Sequence, residues 1–249
     1  MPDQAPRVSI VIPALNEAAR LPASIREIRR VFPDQPWEFL IVIELGTDDT
    51  EAVSREAAAG DGRFKFVINP TARGKGYAVK TGMLLAQGEV VFFMDADLSV
   101  PLRFIPSFLQ EAGCGGVDVL IGSRQHGSSV IAIRQSLSRE IAGRLFNLAL
   151  RLAGVTRFAD TQCGFKAFRR EAAWEIFSRV RQNGFGFDVE ALAIAEALGF
   201  RVVELPVEWS DAPGSKLRPL RDGVSALCDA VLAASRIRRN DYKKCQSLE

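Results

Sequence analysis

Along the first half of the chain, short and mostly apolar runs alternate with segments of helical periodicity. Val8 to Ile12, Phe39 to Ile43, Phe64 to Ile68, Val90 to Met94 and Val117 to Ile121 read as strands. Between them, apolar residues recur at helical spacing over Asn16 to Phe32, Asp48 to Ala59, Gly76 to Gln87 and Pro101 to Glu111. Asn16 is placed to cap the first of these helices, and Pro33 stops it. Strands that are apolar on both faces, separated by amphipathic helices, predict an α/β domain. Its mainly parallel central sheet is flanked by helices on both sides. In such sheets ligands bind beyond the carboxyl ends of the strands.

The second half is less regular. A long helix is predicted over Gln135 to Ala153, a short strand over Gly164 to Phe168, and helices over Arg170 to Val180 and Asp188 to Leu198. A strand from Arg201 to Val207 follows, then a break at Pro213-Gly214. The last element is an amphipathic helix over Pro219 to Arg239, with Leu220, Val224, Leu227, Cys228, Val231 and Leu232 at helical spacing. No repeat or low-complexity linker divides the chain, so a single domain is expected.

Composition narrows the class by exclusion. The chain has 249 residues, 47% hydrophobic and 25% charged, with a formal net charge of +2. This is globular composition without the global basic field of a nucleic-acid binder. No apolar run approaches the ~18–20 residues of a membrane span. The first residues lack the apolar stretch of a signal peptide, so a cytoplasmic location is expected. The four cysteines are scattered and form no Cys-x-x-Cys pair, which suits free thiols rather than a zinc site or disulfide framework. His126 is the only histidine and no Gly-x-Ser-x-Gly elbow exists, which argues against a serine-hydrolase triad.

Candidate chemistry gathers at strand ends. Asp95-Ala96-Asp97 follows the fourth strand directly. Residues two apart in an extended chain point the same way, so both carboxylates can face one ligand. Such a pair repels unless a cation intervenes. Mg²⁺ or Mn²⁺, shared with the oxygens of a diphosphate, is the natural occupant, and a solvated acidic turn is the alternative. Gly74-Lys75-Gly76 opens the helix after the third strand, where backbone N–H groups and a lysine can meet phosphate. Val79 stands where a dinucleotide fingerprint needs its third glycine, and no Gly-Lys-Ser/Thr of a P-loop is present.

With these motifs in hand, the chain resembles the inverting glycosyltransferases of family two, which have the GT-A fold. Val8 to Glu17 is similar to their opening strand and nucleotide loop. Gly74-Lys75-Gly76 with Ala78, Thr81, Gly82 and Met83 is similar to their helix start, and Met94 to Leu98 to their metal-binding segment. Asp160 to Phe168, Phe187 to Leu192, Val207-Glu208-Trp209 and Gly214 to Leu217 resemble dolichyl-phosphate β-glucosyltransferases in particular. The likeness covers about residues 7 to 235. It implies a tail over 1–6, a GT-A domain over 7–217 and a C-terminal amphipathic helix and tail over 218–249. Within the domain, 7–122 is the nucleotide-sugar half and 123–217 the acceptor half. Two departures stand out. After the second strand, where the family usually carries Asp-Asp-Gly, Glu44 is the nearest acid and Leu45 follows. Ser99 stands where mannosyl relatives often carry Gln.

The resemblance implies inverting, metal-dependent hexosyl transfer to a polyprenyl phosphate. UDP-glucose is favoured as donor, and GDP-mannose is the alternative. Asp95 and Asp97 would bind the metal. Pro13, Ala14, Asn16, Glu17, Glu44, Lys75, Asp95, Ala96 and Lys216 would bind the nucleotide sugar. Arg124, Arg134 and Arg139 would meet the acceptor phosphate, within a stretch (residues 123–151) whose five arginines face a single acid, Glu140. Asp97, Asp188 and Arg124 are the catalytic candidates; the alternative for Asp188 is the N-cap of its helix. The basic terminal helix can lie peripherally on an anionic membrane face, or dock on its own domain or a second copy. The competing readings are a soluble acceptor and a nucleotide-sugar-binding subunit without turnover.

Overall fold

A computed structural model of the chain describes residues 7–133, 137–211, 229, 231–236, 239 and 241–242. The elements run β1 (Val8–Ala14), α1 (Leu21–Val31), β2 (Glu38–Glu44), α2 (Thr50–Ala57), β3 (Phe64–Asn69), α3 (Lys75–Leu85) and β4 (Val90–Met94). There follow a 3-10 turn (Leu102–Phe104), α4 (Ile105–Gly113), β5 (Val119–Ser123), β6 (Val130–Ile133), α5 (Leu137–Leu152) and β7 (Phe165–Arg169). The described part closes with α6 (Arg170–Arg179), α7 (Phe187–Ala197), β8 (Val202–Pro206) and β9 (Glu208–Ser210).

Seven strands form one sheet in the order β3-β2-β1-β4-β7-β5-β8. All pairings are parallel except those of β7, which runs antiparallel to β4 and to β5. The period of two along each strand divides the apolar residues between two layers. Ile10, Ile12, Phe39, Ile41, Phe92 and Met94 face α1 and α4, whereas Val11, Leu40, Val42, Val91 and Phe93 face α3, α6 and α7. The amino-terminal edge of the sheet is closed. There buried Glu38 accepts from the Ser9 hydroxyl, the Gln87 N–H (2.6 Å) and Lys65 Nζ (2.9 Å).

Two expectations are corrected. The first helix begins at Leu21, not Asn16, because Asn16 adopts φ 54° and its Oδ1 accepts the Thr47 N–H at 2.7 Å. It therefore ties the loop after β1 to the loop after β2, and Pro22 in the first turn starts the helix. Asp188 is not an N-cap but the second residue of α7; Gly186 is the cap. The ribbon of β6 and β9 was not expected: both strands are short, and β6, Val130-Ile131-Ala132-Ile133, is mostly exposed.

The helix expected over Pro219 to Arg239 falls largely outside the described residues. Among the described residues near its end, Arg236 and Tyr242 bond to α6 and α7. Tyr242 is buried, its hydroxyl donates to Glu190 Oε1 at 2.5 Å, and its carbonyl accepts from Arg179 Nε at 2.9 Å. Arg236 reaches the same Glu190 oxygen at 3.0 Å, and the other oxygen accepts the N–H groups of Arg181 and Gln182 at 2.7 Å each.

Candidate active site

The carboxyl ends of β1, β2 and β4 open on a cleft of about 300 Å³. Asp95, the first residue past β4, donates its N–H to the Gly164 carbonyl (3.1 Å), and its Oδ1 accepts from Lys75 Nζ at 2.7 Å. Glycine is required at 164 because a Cβ there would stand 1.9 Å from Asp95 Oδ2. Asp97 Oδ1 accepts from the Ser99 N–H (3.0 Å) and hydroxyl (2.7 Å), while Arg20 lies 3.8 Å from Oδ2. Ser99 thus orients the second carboxylate. Burial, and then the charge of Asp95, hold the Asp97 carboxyl above its usual range.

Lys75 is the first residue of α3. Gly74 before it has φ 116°, a backbone conformation that side chains rarely adopt. Buried Glu44 holds this turn, accepting from the N–H groups of Arg73 (2.9 Å) and Gly74 (3.0 and 3.1 Å), and burial raises its carboxyl. Glu44 therefore lines the cleft and at the same time anchors the lysine loop. Burial would lower the Lys75 ammonium, but the charges of Asp95 and Asp188 keep it raised. Its Nζ also sits 5.3 Å from the Phe93 ring and 5.9 Å from that of Phe185, within cation–π range.

Beneath Lys75 lies a buried pair. Lys166 Nζ donates to Asp188 Oδ1 (2.5 Å) and to the Cys163 carbonyl (2.6 Å). Burial drives the Asp188 carboxyl up, against the pull of Lys166 and Lys75. The antiparallel insertion of β7 puts Lys166 opposite Phe93 in register, directly behind the cleft.

Of the residues proposed for the nucleotide sugar, Pro13, Ala14, Glu17, Glu44, Lys75, Asp95 and Ala96 line the cleft together with Asp97. Asn16 does not; it braces the rim. Lys216 lies outside the described residues. Arg20, Phe185 and Lys166 were missed. Arg20 forms a bidentate pair with Glu17 (2.7 and 2.6 Å), foreshadowed only by their spacing of three. Phe185 stands between two glycines, and Lys166 is a lone charge in an apolar strand, so both carried a readable signal.

The donor set suits a hard divalent cation. Among the described residues no group of three or more His, Cys, Asp or Glu forms a metal cage. Two carboxylates at a cleft instead match an ion that takes its remaining ligands from phosphate and water. The raised Asp97 carboxyl is the conflict a cation would relieve.

On the other side of β7, Arg124 forms a fork with fully buried Asp160 (2.7 and 2.8 Å), and its N–H donates to the same carboxylate at 2.9 Å. Burial would raise Asp160, but Arg124 holds it below the usual carboxylate range. Arg124 also lies 5.5 Å from the Trp209 ring, and both border a small hollow shared with Ile131, Glu140 and Arg144. Asp188 and Arg124 are thus apart from the cleft lining. Arg134 lies outside the described residues, as does the side chain of Arg139.

The same architecture is found in glucosyl-3-phosphoglycerate synthase of Mycobacterium tuberculosis. Its complex with uridine diphosphate superposes with a TM-score of 0.69, 21% identity, and coverage of 92% of this chain and 80% of that one. A second crystal structure of that enzyme, with Mn²⁺, uridine diphosphate and phosphoglyceric acid, has a TM-score of 0.66, 21% identity and coverage of 93% and 78%. The chain thus has the GT-A fold.

Residues 9–177 match the family model described as glycosyl transferase family 2. Over 227 residues the chain is 30% identical to a dolichyl-phosphate beta-glucosyltransferase of Trichomonas vaginalis, covering 84% of this chain and 66% of that protein. The Drosophila melanogaster dolichyl-phosphate beta-glucosyltransferase is 32% identical over 231 residues (85% and 69%). A Haloferax volcanii glycosyltransferase is 30% identical over 219 residues (86% and 35%). The chain belongs to glycosyl transferase family 2. It spans about two thirds of the length of the dolichyl-phosphate relatives and about a third of the Haloferax protein.

Proposed function

We propose that this chain transfers glucose from UDP-glucose to a polyprenyl phosphate with inversion at the anomeric carbon. The observation that carries the reading is the convergence of Asp95, Asp97 and Lys75 on one cleft at the strand ends. The resemblance to dolichyl-phosphate beta-glucosyltransferases over most of the chain supports the sugar and the acceptor.

The leaving nucleoside diphosphate gains negative charge as the glycosidic bond breaks. Lys75, pre-positioned by Asp95, donates to that charge, and such fixed cations act most strongly in a site shielded from water. Asp95 and Asp97 would hold Mg²⁺ or Mn²⁺, which when bound supplies Lewis-acid stabilisation of the same charge. Pro13, Ala14 and Glu17 would border the nucleotide, with Glu44 keeping the lysine loop in place.

The acceptor needs little help to become nucleophilic. A phosphate monoester has a second pKa of about 6 and is largely dianionic at neutral pH, so no general base is required. Asp188 is then a positioning residue: it fixes Lys166 and adds to the field that keeps Lys75 charged. Arg124, braced by Asp160, is the described cation proposed to meet the acceptor phosphate.

A donor-by-acceptor panel tests the reading. UDP-glucose, GDP-mannose and UDP-GlcNAc are each offered a short polyprenyl phosphate and a soluble phosphorylated acceptor with Mg²⁺ or Mn²⁺. Transfer from UDP-glucose to the polyprenyl phosphate is expected. Preference for GDP-mannose or for the soluble acceptor overturns the assignment, and donor binding without turnover makes the chain a binding subunit.

A further inference from the structure

We infer that the outer face of α5 docks on an anionic lipid surface. On this 16-residue helix, Ile141, Leu145, Leu148 and Leu152 are 56%, 58%, 42% and 81% exposed. Their spacing of four, three and four puts them in one stripe along the helix axis. Among the described side chains, the rest of that outer face is Ala142 and Ala149, also exposed. The inner side is accounted for, since Leu150 and Asn147 are buried and Phe146 packs against Leu150, Val155 and Val189. An α-helix that is apolar towards its own domain and apolar outward has one face without a partner among the described residues. A solvated helix carries charge there instead.

Charge selects the occupant. Arg144 and Arg151, seven residues apart, form a row along one flank of the stripe, and both are exposed. Glu140, the helix's single acid, is paired with Arg144 at 2.6 Å. A second copy of the chain would bring a second row of arginines to the contact, whereas anionic headgroups supply the opposite charge. No described helix is long and apolar enough to cross a membrane, and α5, about 24 Å long at 1.5 Å per residue, suits in-plane burial in the headgroup boundary.

The placement has a functional consequence. The hollow bordered by Arg124 and Trp209 lies against the inner side of α5, touching Glu140, Gly143 and Arg144. With the outer side in lipid, that hollow stands about one helix diameter, ~10–12 Å, from the apolar phase. A lipid-borne phosphate then reaches the protein without leaving its membrane. The link from this face to the hollow as a lipid-phosphate site rests on the polyprenyl-phosphate reading; the unpartnered face and its arginine flank do not.

The test is flotation of the full chain with phosphatidylcholine vesicles, with and without phosphatidylglycerol. Binding is expected only with the anionic lipid, and Leu145→Glu with Leu152→Glu should weaken it roughly tenfold or more. The milder Leu152→Ser should give a smaller loss of the same sign. Val231→Glu with Leu232→Glu, on the other exposed apolar pair, should leave it unchanged. Circular dichroism checks that each variant folds. Unchanged binding in the α5 variants overturns the proposal, as does loss confined to the Val231/Leu232 variant or absence of any vesicle binding. Sedimentation showing a dimer that the α5 variants split would assign the face to a second copy instead. Glucosyl transfer to a short, water-soluble polyprenyl phosphate without vesicles is measured alongside. Failure there with vesicle binding intact removes the enzymatic reading and leaves the docking surface standing.

Discussion

The two halves of the sheet reach the cleft by opposite routes. In the half proposed to bind the donor, β1, β2, β3 and β4 run parallel, and the cleft residues stand at the strand ends (Pro13, Ala14 and Glu44) or in the segments that follow them (Glu17, Lys75, Asp95 and Asp97). In the half proposed to meet the acceptor, β7 runs against its neighbours and delivers Lys166 from within a strand and Gly164 from the residue before it. The residues at the parallel strand ends line the cleft, whereas Lys166 is buried behind it beside Asp188. The proposed chemistry therefore rests on the parallel half, with the inserted strand as its scaffold.

Substitutions can break or sharpen that division. The largest effect is expected in the donor half, where Asp97→Ala should lower kcat by roughly 10³-fold or more while leaving the thermal transition in place. Retained activity would remove Asp97 from the chemistry. In the scaffold, Lys166→Met leaves Asp188 buried without its cation and should cost about 3–5 kcal/mol in urea unfolding. Adding Asp188→Leu should recover most of that loss, and a double variant no more stable than the single one would deny the pairing. Gly164→Ala tests the seam between the halves, since its Cβ must displace the Asp95 carboxylate. A cost of about 1–3 kcal/mol is expected, with a fall in activity larger than the stability loss explains.

Smaller effects lie farther out. Tyr242→Phe removes one donor from buried Glu190 and should cost about 1.5–3 kcal/mol, the range for hydrogen bonds to charged groups, with the donor KM little changed. Native-state alkylation should modify exposed Cys114 and spare Cys163, which is buried with its thiol pushed up to about 12 by that burial. Mass mapping after short exposure to iodoacetamide checks the contrast; labelling of Cys163 would mean that β7 opens readily.

Legibility followed the same line. Val8 to Ala14, Gly74 to Gly76 and Asp95 to Asp97 were readable because strand, turn and site residue are adjacent in the chain, so local pattern places them. Asn16 misled, since a good helix cap is also a residue that tolerates a left-handed conformation and can accept a bond from a distant N–H. Glu44 resembled a ligand contact by position, yet its carboxylate grips the lysine loop, a bond spanning 30 residues that no local rule foretells. For Arg124 the same holds, because its partner Asp160 is 36 residues away.

By itself, then, the amino-acid sequence determined the alternation of strands and helices, the edge where ligands bind and the acidic and basic residues that gather there. These follow from periodicity and short-range steric rules, which act over a few residues. The tertiary structure alone decided that β7 enters antiparallel, that Lys166 and Asp188 neutralise each other beneath Lys75, and that Tyr242 is drawn onto Glu190. It also left the apolar stripe of α5 facing outward. Each of these depends on which distant groups must share a buried, poorly solvated space, where an unpaired charge or an uncovered apolar face costs most.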